Sequence, residues 1–286
     1  MPLVALLTAL LALVPTSRAQ EAPPASAPSH ELRNTGALFL SGEFLGSVFL
    51  GFLGPDLVLA PQPESLTCAD AWCEPPGIDR AFNRWTALSQ PRAAGHVSHV
   101  FTIGFTPVVA IGGAVWGAAR YGKAGYAAAD TVIMLNAFMI STGINSLAKV
   151  GARRQRPAHH FDREDRTEAA EHPDEEFLSF YSGDTTWAWT LAGAGTSLAY
   201  LRGYRHARWV AIGSGTLAFV GSFLRMAADM HWLTDVLVGA AVGTAVGVGL
   251  PILLHRRRPS DRLRGRVSLS PLAGPGRVGL HVSAPL

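Results

Sequence analysis

Six long stretches of this 286-residue chain carry little charge, and they restrict its fold more than any other feature. They run roughly over 36–53, 96–119, 124–148, 185–201, 209–224 and 231–254. At 1.5 Å per residue, the third and sixth are long enough to span a hydrocarbon core of about 30 Å. The fourth and fifth are short on their own and would lean on neighbours. Backbone N–H and C=O groups in lipid must bond within their own segment, so the expected fold is all-α, an integral membrane helix bundle. Charged residues make up 16% of the chain, well below the roughly 25% of soluble domains. Gly239, Gly243 and Gly247 recur along one face of the last segment. Small residues at that spacing let helices approach closely, a matter of packing rather than chemistry.

The chain divides into five parts. Residues 1–19 read as a signal peptide, with an apolar core from Leu3 to Val14 and small residues at Ser17 and Ala19. The competing reading is a membrane-embedded N-terminus that is never cleaved. Residues 20–34 form a Pro/Ala-rich linker, 35–95 the first apolar helix and an outward loop, 96–255 the core, and 256–286 a basic tail. The end of the tail alternates like a short hairpin around Gly274-Pro275-Gly276. Cys68 and Cys73, the two cysteines, are closely spaced with no histidine nearby. That suits a small disulfide loop in an oxidising compartment better than a metal site, two free thiols being the alternative. The net charge of +3 is too small to suggest a nucleic-acid partner.

The basic connections set an orientation. Arg120 and Lys123, then Arg202, Arg205 and Arg208, then the tail from His255 cluster on alternate links. The positive-inside rule puts these in the cytoplasm and turns 54–95, 149–183 and the turn at Arg225 outward, toward a periplasm. A cleaved signal peptide would start the mature chain outside and send 36–53 inward, which conflicts with that order. Either cleavage does not occur or 36–53 does not span fully, and Glu43 within it makes an interfacial placement conceivable.

Three outward stretches carry groups suited to a phosphate. Lys149 and Arg156 flank a segment closed by Pro157, which is expected to stop the helix. Two fixed cations suit a multiply charged anion. Ser182 and Gly183 precede an apolar helix, where glycine permits close approach and free N–H groups attract anions. His231 and Asp235 lie four apart on one helical face, with Arg225 just ahead. A carboxylate beside an imidazole fixes its tautomer. The acidic loop from Asp162 to Glu176 reads as a solvated surface.

These stretches resemble the type-2 phosphatidate phosphatase superfamily, the lipid phosphate phosphatases. KVGARRQRP is similar to its Lys-x6-Arg-Pro motif and RMAADMHWLTD to its Arg-x5-His-x3-Asp motif, while FYSGD stands where the family has Pro-Ser-Gly-His. The resemblance covers roughly 96–254. It implies a six-helix membrane bundle that acts on a lipid phosphate or diphosphate in the bilayer. His231 would be the nucleophile, passing through a phosphohistidine, and Asp235 would orient it. Lys149, Arg156, Arg225 and the Ser182-Gly183 backbone would hold the phosphoryl oxygens, with no metal or other cofactor.

The chain departs from the pattern at Tyr181, Asp184 and Leu224, where the family has Pro, His and Ser. The missing histidine protonates the leaving oxygen in relatives. Three readings of Asp184 follow. It is a general acid of raised pKa. Or protonation there is dispensable, because the substrate is a diphosphate such as the undecaprenyl carrier or because His159, His160 or His172 substitutes. Or the protein binds a lipid phosphate without turnover. A phosphotransferase is a further alternative. The expected setting is a bacterial inner membrane with the active site at the periplasmic face.

Overall fold

All six apolar runs fold as helices in the computed structural model, which describes residues 32–53, 66–86, 90–256, 268–274 and 277–283. The expected signal peptide and the linker up to residue 31 lie outside the described residues. Helix α1 is Ala37–Val48, continued by a wider turn over Phe49–Leu53. Helix α2 is Gly77–Thr86. Helix α3 covers Pro91–Arg120 with a π-helical turn at Val100–Phe105. Helix α4 is Ala124–Ala152 and α5 the short Pro157–His160. Three 3-10 turns follow, at Glu164–Arg166, Glu168–Glu171 and Pro173–Glu175. Helices α6, Gly183–Leu201, and α7, Ala207–Ala227, precede α8, Leu233–Leu250, which continues as a wider turn to His255. Strands β1, Ser268–Gly274, and β2, Arg277–Ser283, pair antiparallel with Ser268 opposite Ser283.

Four helices are long and apolar enough to cross a membrane: α3, α4, α7 and α8 with its extension. The fold is thus that of a multi-pass helical membrane protein. The second and fifth apolar runs join the third and sixth in this group because α3 begins at Pro91 and α7 runs for 21 residues. Bulky side chains such as Trp116, Phe219, Leu237 and Leu253 point outward, as a lipid-facing surface requires.

Helix α6 is the centre of the bundle. It packs on α3, α4, α7 and α8, and most of its length is buried, from Thr185 and Ala188 to Leu191, Ala194 and Leu198. A helix buried all round belongs in a core. It approaches α8 closely through the glycine stripe. A Cβ at Gly239 would stand 2.8 Å from the Ser182 carbonyl oxygen, and Gly243 and Gly247 lie against the Thr186 and Thr190 carbonyls. The stripe therefore brings the start of α6 against the start of α8.

Helix α1 runs parallel to α4. The Ser47 hydroxyl donates to Asn136 at 3.0 Å, and further along the Leu50 carbonyl abuts Gly143. The start of α1 is tied to the end of α8, since the Arg33 N–H donates to the His255 carbonyl at 3.0 Å and Asn34 to that of Leu254 at 2.7 Å. Helix α1 thus rises from the His255 end of the bundle toward the end where α4 finishes. Glu43 turns inward, 3.3 Å from the buried His255. Arg202, expected on a basic connection, is buried and grips Asp130 with Nη2 at 2.6 Å and Nε at 3.1 Å.

Candidate active site

Helix α4 stops before Pro157. Its C-cap is Arg153, in the left-handed region at φ 44°. Pro157 opens α5 instead, where its missing N–H would have had no helical partner anyway. Between them the chain is held by Trp72. The Trp72 N–H donates to the Arg153 carbonyl at 3.0 Å, and its carbonyl accepts from Gln155 at 3.1 Å. Trp72 sits in the loop closed by a disulfide between Cys68 and Cys73. Its ring also lies 4.0 Å from the Arg154 guanidinium.

Arg154 is the hub of a buried network. It donates to Asp79 and to Asp235, each at 2.5 Å, and to Thr234 at 2.7 Å. Asp79, on α2, also accepts from the Thr234 N–H at 2.9 Å and its hydroxyl at 2.7 Å. These bonds anchor the first turn of α8. Sequence reasoning misses α2, Asp79 and Arg154. A polar ten-residue helix leaves no apolar run to find, and Asp79 meets Arg154 only through the fold.

Asp235 does not grip His231 directly. Its Oδ2 stands 3.8 Å from Nδ1, and accepts instead from the Ser179 hydroxyl at 2.6 Å and the Trp232 N–H at 2.9 Å. The partner of His231 Nδ1 is the Ser179 carbonyl at 2.9 Å. A carbonyl only accepts, so the proton is on Nδ1 and Nε2 carries the lone pair. Burial, together with nearby Arg156, Arg225 and Lys149, pushes the His231 pKa well below its ordinary value. The imidazole is neutral, with its lone pair on Nε2.

The expected anion-binding groups gather around it. Arg156 is buried, with Nε donating to the Glu175 carbonyl at 3.0 Å and Nη2 paired with the Glu175 carboxylate. Its Nη1 and the Ser182 hydroxyl are buried without a partner among the described residues. Ser182 stands at the start of α6, whose first N–H groups have no acceptor within the helix. Glycine suits position 183 because a Cβ there would meet Asn145 Oδ1 at 3.1 Å. Asn145 in turn donates to the Tyr181 carbonyl at 2.7 Å. Lys149, one turn beyond Asn145 on α4, shares the electrostatic field of Arg156, Glu175, Asp184 and Arg225.

Arg225 meets two carboxylates. Its Nη1 donates to Glu168 at 2.9 Å, and its Nε stands 3.1 Å from Asp184 Oδ2. Asp184 is thus placed as an acceptor between cations, with His99 Nδ1 at 3.5 Å on its other side. That is a poor setting for a carboxylic acid that must give up a proton. The acidic loop is not simply a solvated surface. Glu168 is buried; burial alone would raise its pKa, yet His99 and Arg225 hold it at about 2. Glu175 is likewise lowered, burial being outweighed by Arg156 and Lys149. Among the described residues the ion-pair partners of Asp184 are Arg225 and His99, not His159, His160 or His172. His160 packs on Phe161 and Trp232 instead. Ser222, out of register with the family serine, accepts from Trp189 at 3.2 Å. Among the described residues no group of three or more His, Cys, Asp or Glu is placed to hold a metal ion.

Residues 130–259 match the family model of the PAP2 superfamily, a stretch that contains all three motifs. No curated protein and no solved structure matches the chain.

Proposed function

We propose, from the match of residues 130–259 to the PAP2 superfamily model, that the chain is a membrane phosphatase that hydrolyses a lipid phosphate or isoprenyl diphosphate through a phosphohistidine on His231. One observation carries this reading: a neutral imidazole, its Nδ1–H held by the Ser179 carbonyl, amid Lys149, Arg156 and Arg225. His231 Nε2 forms a bond to phosphorus as the bond to the leaving oxygen breaks. Water then attacks phosphorus, the N–P bond breaks and phosphate departs. Lys149, Arg156 Nη1, Arg225 and the first N–H groups of α6 stabilise charge on the phosphoryl oxygens. Asp235, fixed by Arg154, acts through Ser179 rather than by touching the ring.

The orientation follows from charge. Arg120, Lys123, Arg205 and Arg208 lie on or beside the connections at the end of the bundle away from His231, and Arg256 follows the end of α8 there. The positive-inside rule makes that end cytoplasmic and the site periplasmic in a bacterial inner membrane. Helix α1 supports the same arrangement, because it delivers the cysteine loop to the His231 end.

A lipid-phosphate binder without turnover is the second reading. It is favoured by the pairing of Arg156 with Glu175 and of Arg225 with Glu168, which sets internal carboxylates against the cations. Phosphate release by purified protein in detergent separates the two. Phosphatidate and undecaprenyl diphosphate are offered side by side, with His231→Ala as control. Release abolished in the variant supports hydrolysis. Binding of both lipids with no release supports the binder.

A further inference from the structure

We propose that His99, on α3, is the catalytic residue that protonates the leaving oxygen. The proposal rests on the hydrolase reading above. His99 stands beside Asp184, which lies in the electrostatic field of both His99 and His231. Asp184 thus links two histidines in opposite surroundings.

His231 is 3% exposed, bonded to a carbonyl and ringed by cations. The His99 side chain is 41% exposed and has a carboxylate at each edge of its ring. Glu168 Oε2 lies 3.4 Å from Nε2, and Asp184 Oδ2 lies 3.5 Å from Nδ1. Arg225, from α7, has Nη1 at 3.2 Å from Nε2, where it donates when the ring is neutral. His96, one turn earlier on α3, shares Glu168 at 3.0 Å. Two carboxylates and one guanidinium thus face one imidazole, the carboxylates suiting its charged form and Arg225 its neutral form. The buried His231 attacks, and the accessible His99 donates.

The Nδ1 edge is the one that acts. At 3.5 Å it is beyond an ordinary hydrogen bond to Asp184, so its N–H is not committed. When the P–O bond breaks, the electron pair on the leaving oxygen takes this proton, and His99 becomes neutral. In the second half it accepts a proton from the water that attacks phosphorus. The N–P bond breaks, phosphate leaves, and His99 returns to its charged form. Asp184 then serves as a positioning residue for His99 and Arg225.

The test compares two leaving groups in detergent micelles. Dioctanoyl phosphatidate expels an alkoxide that needs a proton, whereas p-nitrophenyl phosphate expels a stable phenolate. Replacing His99→Gln is expected to lower the alkyl-to-aryl ratio of kcat by about a hundredfold, the usual range for a lost general acid. An unchanged ratio overturns the assignment, because a merely structural role would slow both substrates alike. If the variant fails to fold, the wild type decides: alkyl and aryl rates within about a hundredfold support an enzymic acid, and a steeper preference for the aryl substrate overturns it. No phosphate from either substrate with wild-type protein overturns the hydrolase reading itself, and His99's role with it.

Discussion

The carbonyl oxygen of Ser179 lies 2.9 Å from His231 Nδ1, closer than any oxygen of Asp235. The hydroxyl of the same serine donates to Asp235 at 2.6 Å. One residue therefore sets the tautomer through its backbone and steadies the carboxylate through its side chain. Ser179→Ala keeps the carbonyl and loses only the hydroxyl. It should lower kcat by about tenfold, the lower end of the roughly 1.5–3 kcal/mol that a hydrogen bond to a charged group is worth, because the tautomer survives. His231→Ala should abolish turnover. Steady-state phosphate release on both variants measures the difference.

Arg154 joins Asp79 to Asp235 in a buried row of charges. Removing the cation leaves two buried carboxylates facing each other. Arg154→Ala should destabilise the protein by about 3–5 kcal/mol, as breaking a buried pair does. Unfolding in detergent, followed by tryptophan fluorescence, would show it.

The pH dependence of stability has a definite sign. His231 is driven below its usual pKa when folded, so as pH falls past about 6.5 the unfolded chain takes up a proton that the native state refuses. This group's contribution to stability is therefore lost as pH falls below that point. Glu168 is shifted to about 2 when folded, so its contribution is complete above its unfolded pKa and lost as pH falls toward about 2. Melting temperatures at pH values of about 7.5 and about 5.5 bracket the unfolded histidine pKa and stay above that of a glutamate, and comparison with His231→Ala separates His231 from the other histidines. The drop on acidification should be smaller in His231→Ala than in wild type.

Glu175 holds one nitrogen of Arg156 while Nη1 stays without a partner among the described residues. A phosphoryl group must share Arg156 with it. Glu175→Gln removes the competing charge and should tighten inhibition by inorganic phosphate or vanadate by about three- to tenfold, equivalent to about 1 kcal/mol. Inhibition constants for the two proteins check this.

Much of this architecture is legible in the sequence because it is local. Apolar runs announce the six helices, and the spacings Lys149 to Arg156 and Arg225 to His231 to Asp235 bring their side chains to one end of the bundle. The supporting residues are not legible, for one physical reason. Asp79, Arg154 and Ser179 belong to the site through contacts between distant parts of the chain, and none lies in an apolar or regularly spaced pattern. Glu168 shows the same limit from the other side. The composition around it says solvated loop, yet Arg225, His96 and His99 wait for it in the fold. Glu43 likewise marks an interruption of an apolar run, and only the packed structure supplies His255 as its partner.

The most direct measurement is to trap the phosphorylated enzyme. Wild-type protein is mixed with substrate carrying a labelled transferable phosphoryl group, quenched in alkali, digested and read by mass spectrometry. The account predicts an acid-labile phosphate on His231 that forms within one turnover and is absent from His231→Ala. Steady turnover with no such adduct, and with activity retained in His231→Ala, would contradict it.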